Sequence, residues 1–227
     1  MQALILTPTP HLSSSIDFYL KLGFSQVSEN PIFMTDGKSF IEISPDRYSR
    51  SGFKFFKKTW KEEIKKLESI TKVIQIKEGY LISDGNGVWI YLIERIPELV
   101  CSDKEASYSV LGNYMGISLE SIDPKKSFEI YQAIGFELVF GTLEGGFFSL
   151  ANHGFTITLM KPNSCPHLFF NPSLTYFNGK NNPEIISKIR TLKIPITEEI
   201  TYFNKEGIVD NIIIRDPGGL GFFIFND

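Results

Sequence analysis

Histidine and cysteine are scarce in this chain, at three His and two Cys in 227 residues. Neither Cys101 nor Cys165 stands at a spacing that frames a disulfide scaffold or a zinc site. An excess of one charge is also missing. The net charge is −3, and the densest basic stretch, FKFFKKTWKEEIKK, is interleaved with acids and aromatics like a solvated strand and helix face. Phosphate binding needs clustered Lys and Arg, so no nucleic-acid partner is expected. No apolar run approaches the ~20 residues of a membrane helix, so no membrane partner is expected either. The opening MQALILTPTP lacks a basic start and meets proline early, unlike a signal peptide, and a cytoplasmic location follows as the expectation. There is no GxSxG. The Gly-rich DGNGVW and RDPGGLG read as turns between strands rather than turns that open a helix, which excludes a phosphate loop. Cys165 has no base beside it in sequence and reads as an inert thiol.

Aromatic residues, by contrast, are plentiful, with 20 Phe and 9 Tyr. They fill cores, and they can line an apolar pocket. A repeat is also present. SSSIDFYLKLGF (13–24) returns as KKSFEIYQAIGF (125–136), with Ser15, Ile16, Tyr19, Gly23 and Phe24 matching Ser127, Phe128, Tyr131, Gly135 and Phe136 at one offset. Leu4 and Leu6 belong to a short strand before the first copy, and MGISLES (115–121) is its partner before the second. After the copies, IFMTDGKSFIEIS (32–44) resembles FFSLANHGFTITL (147–159). Each reads as two strands joined by a polar turn, the second with the longer turn.

The helix boundaries carry their own signals. Asp123-Pro124 is an N-cap acid followed by a first-turn proline. Gly23 and Gly135 suit the left-handed residue that ends a helix. Two looser modules follow the same order. In the first, FKFFKKT is a strand, TWKEEIKKLESI (59–70) a helix opened by the pair Thr59 and Glu62, and EGYLISDGNGVWIYLIE (78–94) a hairpin. In the second, SLTYFNG is the strand, a helix capped by Asn182-Pro183 follows, and GIVDNIIIRDPGGLGFFIF is the hairpin. The expected fold class is α+β. Paired βαβββ modules form strongly curved mixed sheets, or cups, with helices on the convex side. The expected organisation is two modules in 1–97, a linker over 98–109, and two modules in 110–227.

HLSSSIDFYLKLGF, the paired modules, and the DGNG and DPGG hairpins resemble the glyoxalase / bleomycin resistance / extradiol dioxygenase superfamily, also called vicinal oxygen chelate proteins. The resemblance covers nearly the whole chain. It implies paired modules around a cup, and in many members a divalent metal held by His, Gln and Glu from four strand positions. Carried onto this sequence, those positions fall on Leu4, Glu42, Gly52 or Phe53, and Tyr91 in the first half. In the second half they fall on Gly116, Ile157, Leu174 or Thr175, and Phe223. Glu42 is the one carboxylate among them. A catalytic ion needs about three protein ligands and an open position, so no metal and no cofactor are expected. His11 at a helix start, His153 in a turn and His167 in CPHLFF read as surface or capping residues.

Strand alternation puts Phe40, Glu42 and Ser44 on one face, and Trp89, Tyr91 and Ile93 together. The same rule groups Phe155, Ile157 and Leu159 with Phe223 and Phe225 in the second half, which reads as filled by its own side chains. The expected function is therefore that of a glyoxalase-like protein without the family metal. It would bind a small apolar or aromatic molecule in the first cup through Phe40, Glu42, Ser44, Trp89 and Tyr91, as a monomer or homodimer. Glu42 is the candidate catalytic residue if the cup instead does acid–base chemistry. The other alternative is a metal-dependent lyase, isomerase or ring-cleaving dioxygenase of the same superfamily.

Overall fold

The computed structural model describes residues 1–97, 99 and 107–226. Cys101 and most of the expected linker lie outside the described residues. The first module runs β1 (Gln2–Pro8), α1 (Leu12–Lys21), β2 (Ser25–Glu29), β3 (Ile32–Thr35) and β4 (Phe40–Ser44). The second runs β5 (Gly52–Phe56), α2 (Lys61–Leu67), β6 (Ile74–Ile76), β7 (Gly79–Ser83) and β8 (Trp89–Ile93). The third comprises β9 (Tyr114–Glu120), α3 (Pro124–Ile134), β10 (Glu137–Thr142), β11 (Phe147–Asn152) and β12 (Phe155–Met160). The fourth comprises β13 (Ser173–Phe177), α4 (Asn182–Thr191), β14 (Ile196–Ile200), β15 (Asn211–Arg215) and β16 (Gly221–Phe225).

Among the described residues these strands make two eight-stranded mixed sheets, curved but not closed. The first has the order β2-β3-β4-β1-β5-β8-β7-β6, and the second repeats it as β10-β11-β12-β9-β13-β16-β15-β14. The first strand of each module is therefore central. β1 runs antiparallel to β5, and β9 to β13, so two modules join at the middle of each sheet. The α+β class and the βαβββ order are as the sequence implies.

The helix signals hold in part. Asp123 caps α3 by accepting from the Lys126 N–H at 3.0 Å, and Gly135 ends it at φ 106°. Both features lower the cost of terminating hydrogen bonds at the helix ends. Thr59 and Glu62 do not form the expected capping pair. The helix opens at Lys61, while the Thr59 hydroxyl accepts from the Lys61 N–H and donates to Glu94. Asn182 lies inside α4, and its amide donates to the carbonyls of Asp210 and Ile224.

One apolar core spans both halves. The helix-covered faces contribute Ile41, Ile43, Phe53 and Phe55 from the first sheet, and Ile157, Leu159, Leu174 and Phe222 from the second. Rings meet across the junction: Phe53 with Phe155 at 5.7 Å, Phe55 with Phe136 at 5.4 Å and Phe18 with Phe222 at 5.9 Å between centroids. Two reciprocal polar contacts pin this junction. Tyr19 of α1 donates to Asp216 in the β15–β16 turn at 2.9 Å, and Tyr131 of α3 donates to Asp84 in the β7–β8 turn at 3.2 Å. The helix sides of the two sheets thus face each other, and each hollow faces away from the shared core.

Candidate functional site

In the first sheet the hollow-facing row follows from register. Leu4 lies opposite Lys54, which lies opposite Tyr91, while Leu6 lies beside Glu42 on one side and Gly52 on the other. Phe40, Glu42 and Ser44 share this face as alternation requires, and all three are buried. Glu42 is 6% exposed, because apolar residues flank it on both sides of β4. The Lys54 ammonium closes on it, donating to Oε1 at 2.7 Å and Oε2 at 2.8 Å. That ammonium also stands 5.7 Å over the Tyr91 ring. Burial, followed by the charges of Glu42 and Asp46, pushes the Tyr91 phenol above its ordinary range, so it stays protonated near neutrality. Phe33, Phe40, Phe56, Ile93 and Leu99 pack into one cluster here. The residues expected to hold a ligand are brought together, but their carboxylate already has a cation. The sequence allows a Lys, Arg or Tyr91 partner for Glu42 but does not single out Lys54, which belongs to a different strand.

The second sheet departs further from expectation. Ser118 pairs with Thr158 as Leu6 pairs with Glu42, so the counterpart of Glu42 is Thr158 and not Ile157. The slip has a simple source. Phe33 pairs with Glu42 as Ser149 pairs with Thr158, so the two hairpins are equally long in register and match at an offset of 116, one residue more than the alignment of 32–44 with 147–159 assumes. A shift of one residue reverses every side chain. Ile157 and Leu159 accordingly lie in the shared core, while Thr156, Thr158 and Met160 line the hollow. Phe223 and Phe225 do line it, as expected. His167 lines it too, although CPHLFF reads as surface.

This hollow is open, contrary to the reading of a filled half. It holds two adjoining cavities of about 340 Å³ and 350 Å³ that share Ser118, Phe147, Met160, Thr175 and Phe177. The hydroxyls of Ser118 and Thr175 lie 2.6 Å apart at the join, and those of Ser149 and Thr158 lie 2.8 Å apart in one cavity. The other cavity is walled by His167, Phe169, Phe223 and Phe225. Phe140 in the one cavity and Phe203 in the other, 64% and 53% exposed, stand at the margins of the hollow.

Neither hollow offers a donor set that fits a divalent cation. The first sets one carboxylate and one phenol against a lysine ammonium 2.7 Å from the carboxylate. The second sets the Ser118, Thr158 and Thr175 hydroxyls among aromatic rings, with one imidazole, His167, one thiol, Cys165, and the amides of Asn211 and Asn226, and no carboxylate among the described residues. Among the described residues no group of three His, Cys, Asp or Glu is placed to hold a metal ion. Hard or borderline divalent ions want carboxylate, imidazole or thiolate ligands in such number.

No protein-family model matches the sequence, and no curated protein matches it. Solved structures do match, over nearly the full chain. Homoprotocatechuate 2,3-dioxygenase from Arthrobacter globiformis is similar with a TM-score of 0.59 and 16% identity, over 97% of this chain and 78% of that one. The chain has the vicinal oxygen chelate fold. A variant of 4-hydroxymandelate synthase from Streptomyces coelicolor aligns with a TM-score of 0.56 and 12% identity, over 97% and 90% of the two chains. 2,2',3-Trihydroxybiphenyl 1,2-dioxygenase from Sphingomonas wittichii aligns with a TM-score of 0.56 and 10% identity, over 99% and 91%. At such identities this vicinal oxygen chelate likeness speaks for the fold alone. Among the described residues no helix is long and apolar enough to cross a membrane.

Proposed function

We propose that this chain is a metal-independent binding protein that holds a small apolar or aromatic molecule, and that the molecule sits in the hollow of the second sheet. The observation that carries the reading is the pair of adjoining cavities. Each is within the size range of small-molecule sites, and both are walled by aromatic rings with a few hydroxyls. The first hollow is assigned a structural role, because the Glu42–Lys54 pair and the rings around it fill it. This moves the ligand from the half in which the sequence places it. Burying apolar surface supplies the affinity, and the hydroxyls orient the ligand.

A second reading is an enzyme of the same superfamily acting on an aromatic compound. The likeness to dioxygenases named for aromatic substrates favours it. The donor sets in both hollows count against a metal-dependent version, and the Lys54 partner counts against Glu42 as a free base.

The reading is tested by titrating the full chain with the neutral dye N-phenyl-1-naphthylamine. One molecule per chain is expected. Thr175→Leu, which fills the floor of the second hollow, weakens binding about ten-fold or more, and Tyr91→Ala in the first leaves it unchanged. Loss of binding in Tyr91→Ala with retention in Thr175→Leu would return the ligand to the first hollow.

A further inference from the structure

We infer that the molecule held in the second hollow is uncharged and elongated, with a flat aromatic end in one cavity and a second part that reaches into the other. The inference rests on the reading above and narrows it.

Shape comes first. The two cavities share five wall residues, so they are neighbouring lobes of one trough rather than separate pockets. A single small ring fills one lobe and leaves the other wet. A two-part molecule covers the apolar wall of both and removes more surface from water.

The lobes differ in chemistry. In the first, Phe169 meets Phe223 edge-on at 5.0 Å, and His167 meets Phe225 edge-on at 5.1 Å. Phe223 and Phe225 lie nearly parallel, 10° apart. This arrangement shows ring edges and ring faces to the same space, which suits another aromatic ring. The second lobe is bounded by the Ser149–Thr158 hydroxyl pair and by Thr156. One mutual hydrogen bond engages a single proton and a single lone pair of the two hydroxyls. The remaining proton and lone pairs are available to a hydroxyl, carbonyl or amine of a ligand.

Charge decides the rest. Among the described residues no Asp, Glu, Lys or Arg lines either lobe, and His167 is the one ionisable imidazole there. An ionised ligand would lose its hydration there and find no permanent counter-charge.

The test compares three probes by calorimetric titration of the full chain. Naphthalene is a single fused ring system. N-phenyl-1-naphthylamine is neutral and two-part. 8-Anilino-1-naphthalenesulfonate has the same rings with a fixed negative charge. N-phenyl-1-naphthylamine is expected to bind about ten-fold or more tightly than either of the others. Thr158→Leu, which occupies the second lobe, is expected to lower its affinity to about that of naphthalene while leaving naphthalene binding unchanged. Thr156→Leu serves the same purpose should the first variant melt early. Equal affinity for naphthalene and N-phenyl-1-naphthylamine overturns the elongated shape. Equal affinity for the sulfonate overturns the neutrality. In both cases a binding hollow stands. Failure of all three probes to bind overturns the reading beneath the inference as well.

Discussion

The ammonium of Lys54 reaches both carboxylate oxygens of Glu42, at 2.7 and 2.8 Å, across twelve residues of sequence and two strands of one sheet. The carboxylate is buried and the lysine nearly so, with its side chain 19% exposed. A pair of this kind adds little over an apolar replacement, but it is costly to break on one side, because the remaining charge stays buried.

Lys54→Met is therefore expected to destabilise the protein by about 3 kcal/mol in urea denaturation. The double variant Lys54→Met/Glu42→Leu should fall within about 1 kcal/mol of the parent, since it removes both charges together. A double variant no more stable than Lys54→Met would mean the carboxylate has a role beyond the pair.

The same pair bears on metals. An ammonium at Glu42 repels a dication, and the second hollow presents it with hydroxyls, rings and two amides, and with His167 and Cys165 but no third His, Cys, Asp or Glu among the described residues. Purified protein is expected to carry well below one equivalent of iron, manganese, nickel or zinc, and chelator treatment should leave its melting temperature unmoved. One tightly held equivalent, with a melting temperature that falls on chelation, would favour the enzyme reading.

Much of the architecture was legible. The Tyr19/Tyr131 and Gly23/Gly135 matches located two helices, and the DGNG and DPGG turns located two hairpins. The site was less so, for reasons specific to its residues. In β12, FTITLM alternates, and its apolar set reads as the face that matters for an apolar ligand. The larger apolar surface belongs instead to the helix side, where the shared core lies, and the threonines take the hollow. Alternation separates two faces without saying which one is concave. The Lys54 partner of Glu42 depends on the β1–β5 and β1–β4 pairings together, which no local pattern encodes.

Asp84 gives a pH signature. Burial pushes its carboxyl above the ordinary range, against the pull of N–H bonds from Asn86 and Val88 and the Tyr131 hydroxyl. The folded state thus binds this proton more tightly than the unfolded chain, whose value is about 3.9. The associated stability is full below that pH and is lost as pH rises through the folded value. Asp84→Asn removes the titration and keeps an acceptor for the two N–H groups. Its stability relative to the parent should rise as pH climbs above about 4, the unfolded value, in urea denaturation, and a difference independent of pH would refute the assignment.

Cys165 reports on the second hollow directly. Its half-buried thiol lines the cavity wall, 3.6 Å from the Met160 sulfur. Burial, and then the charge of Glu120, pushes the thiol above its ordinary range of about 8.5. Because the thiolate is the reactive form, alkylation at neutral pH should run slower than for a free thiol and accelerate only in alkaline solution. In a Cys101→Ser background, saturating N-phenyl-1-naphthylamine should slow iodoacetamide labelling of Cys165 several-fold more, because the dye occupies the space the reagent must cross. Protection must scale with dye occupancy if the hollow is the binding site. Labelling that ignores the dye while the dye is bound would place it elsewhere, and with it the function argued for the second sheet.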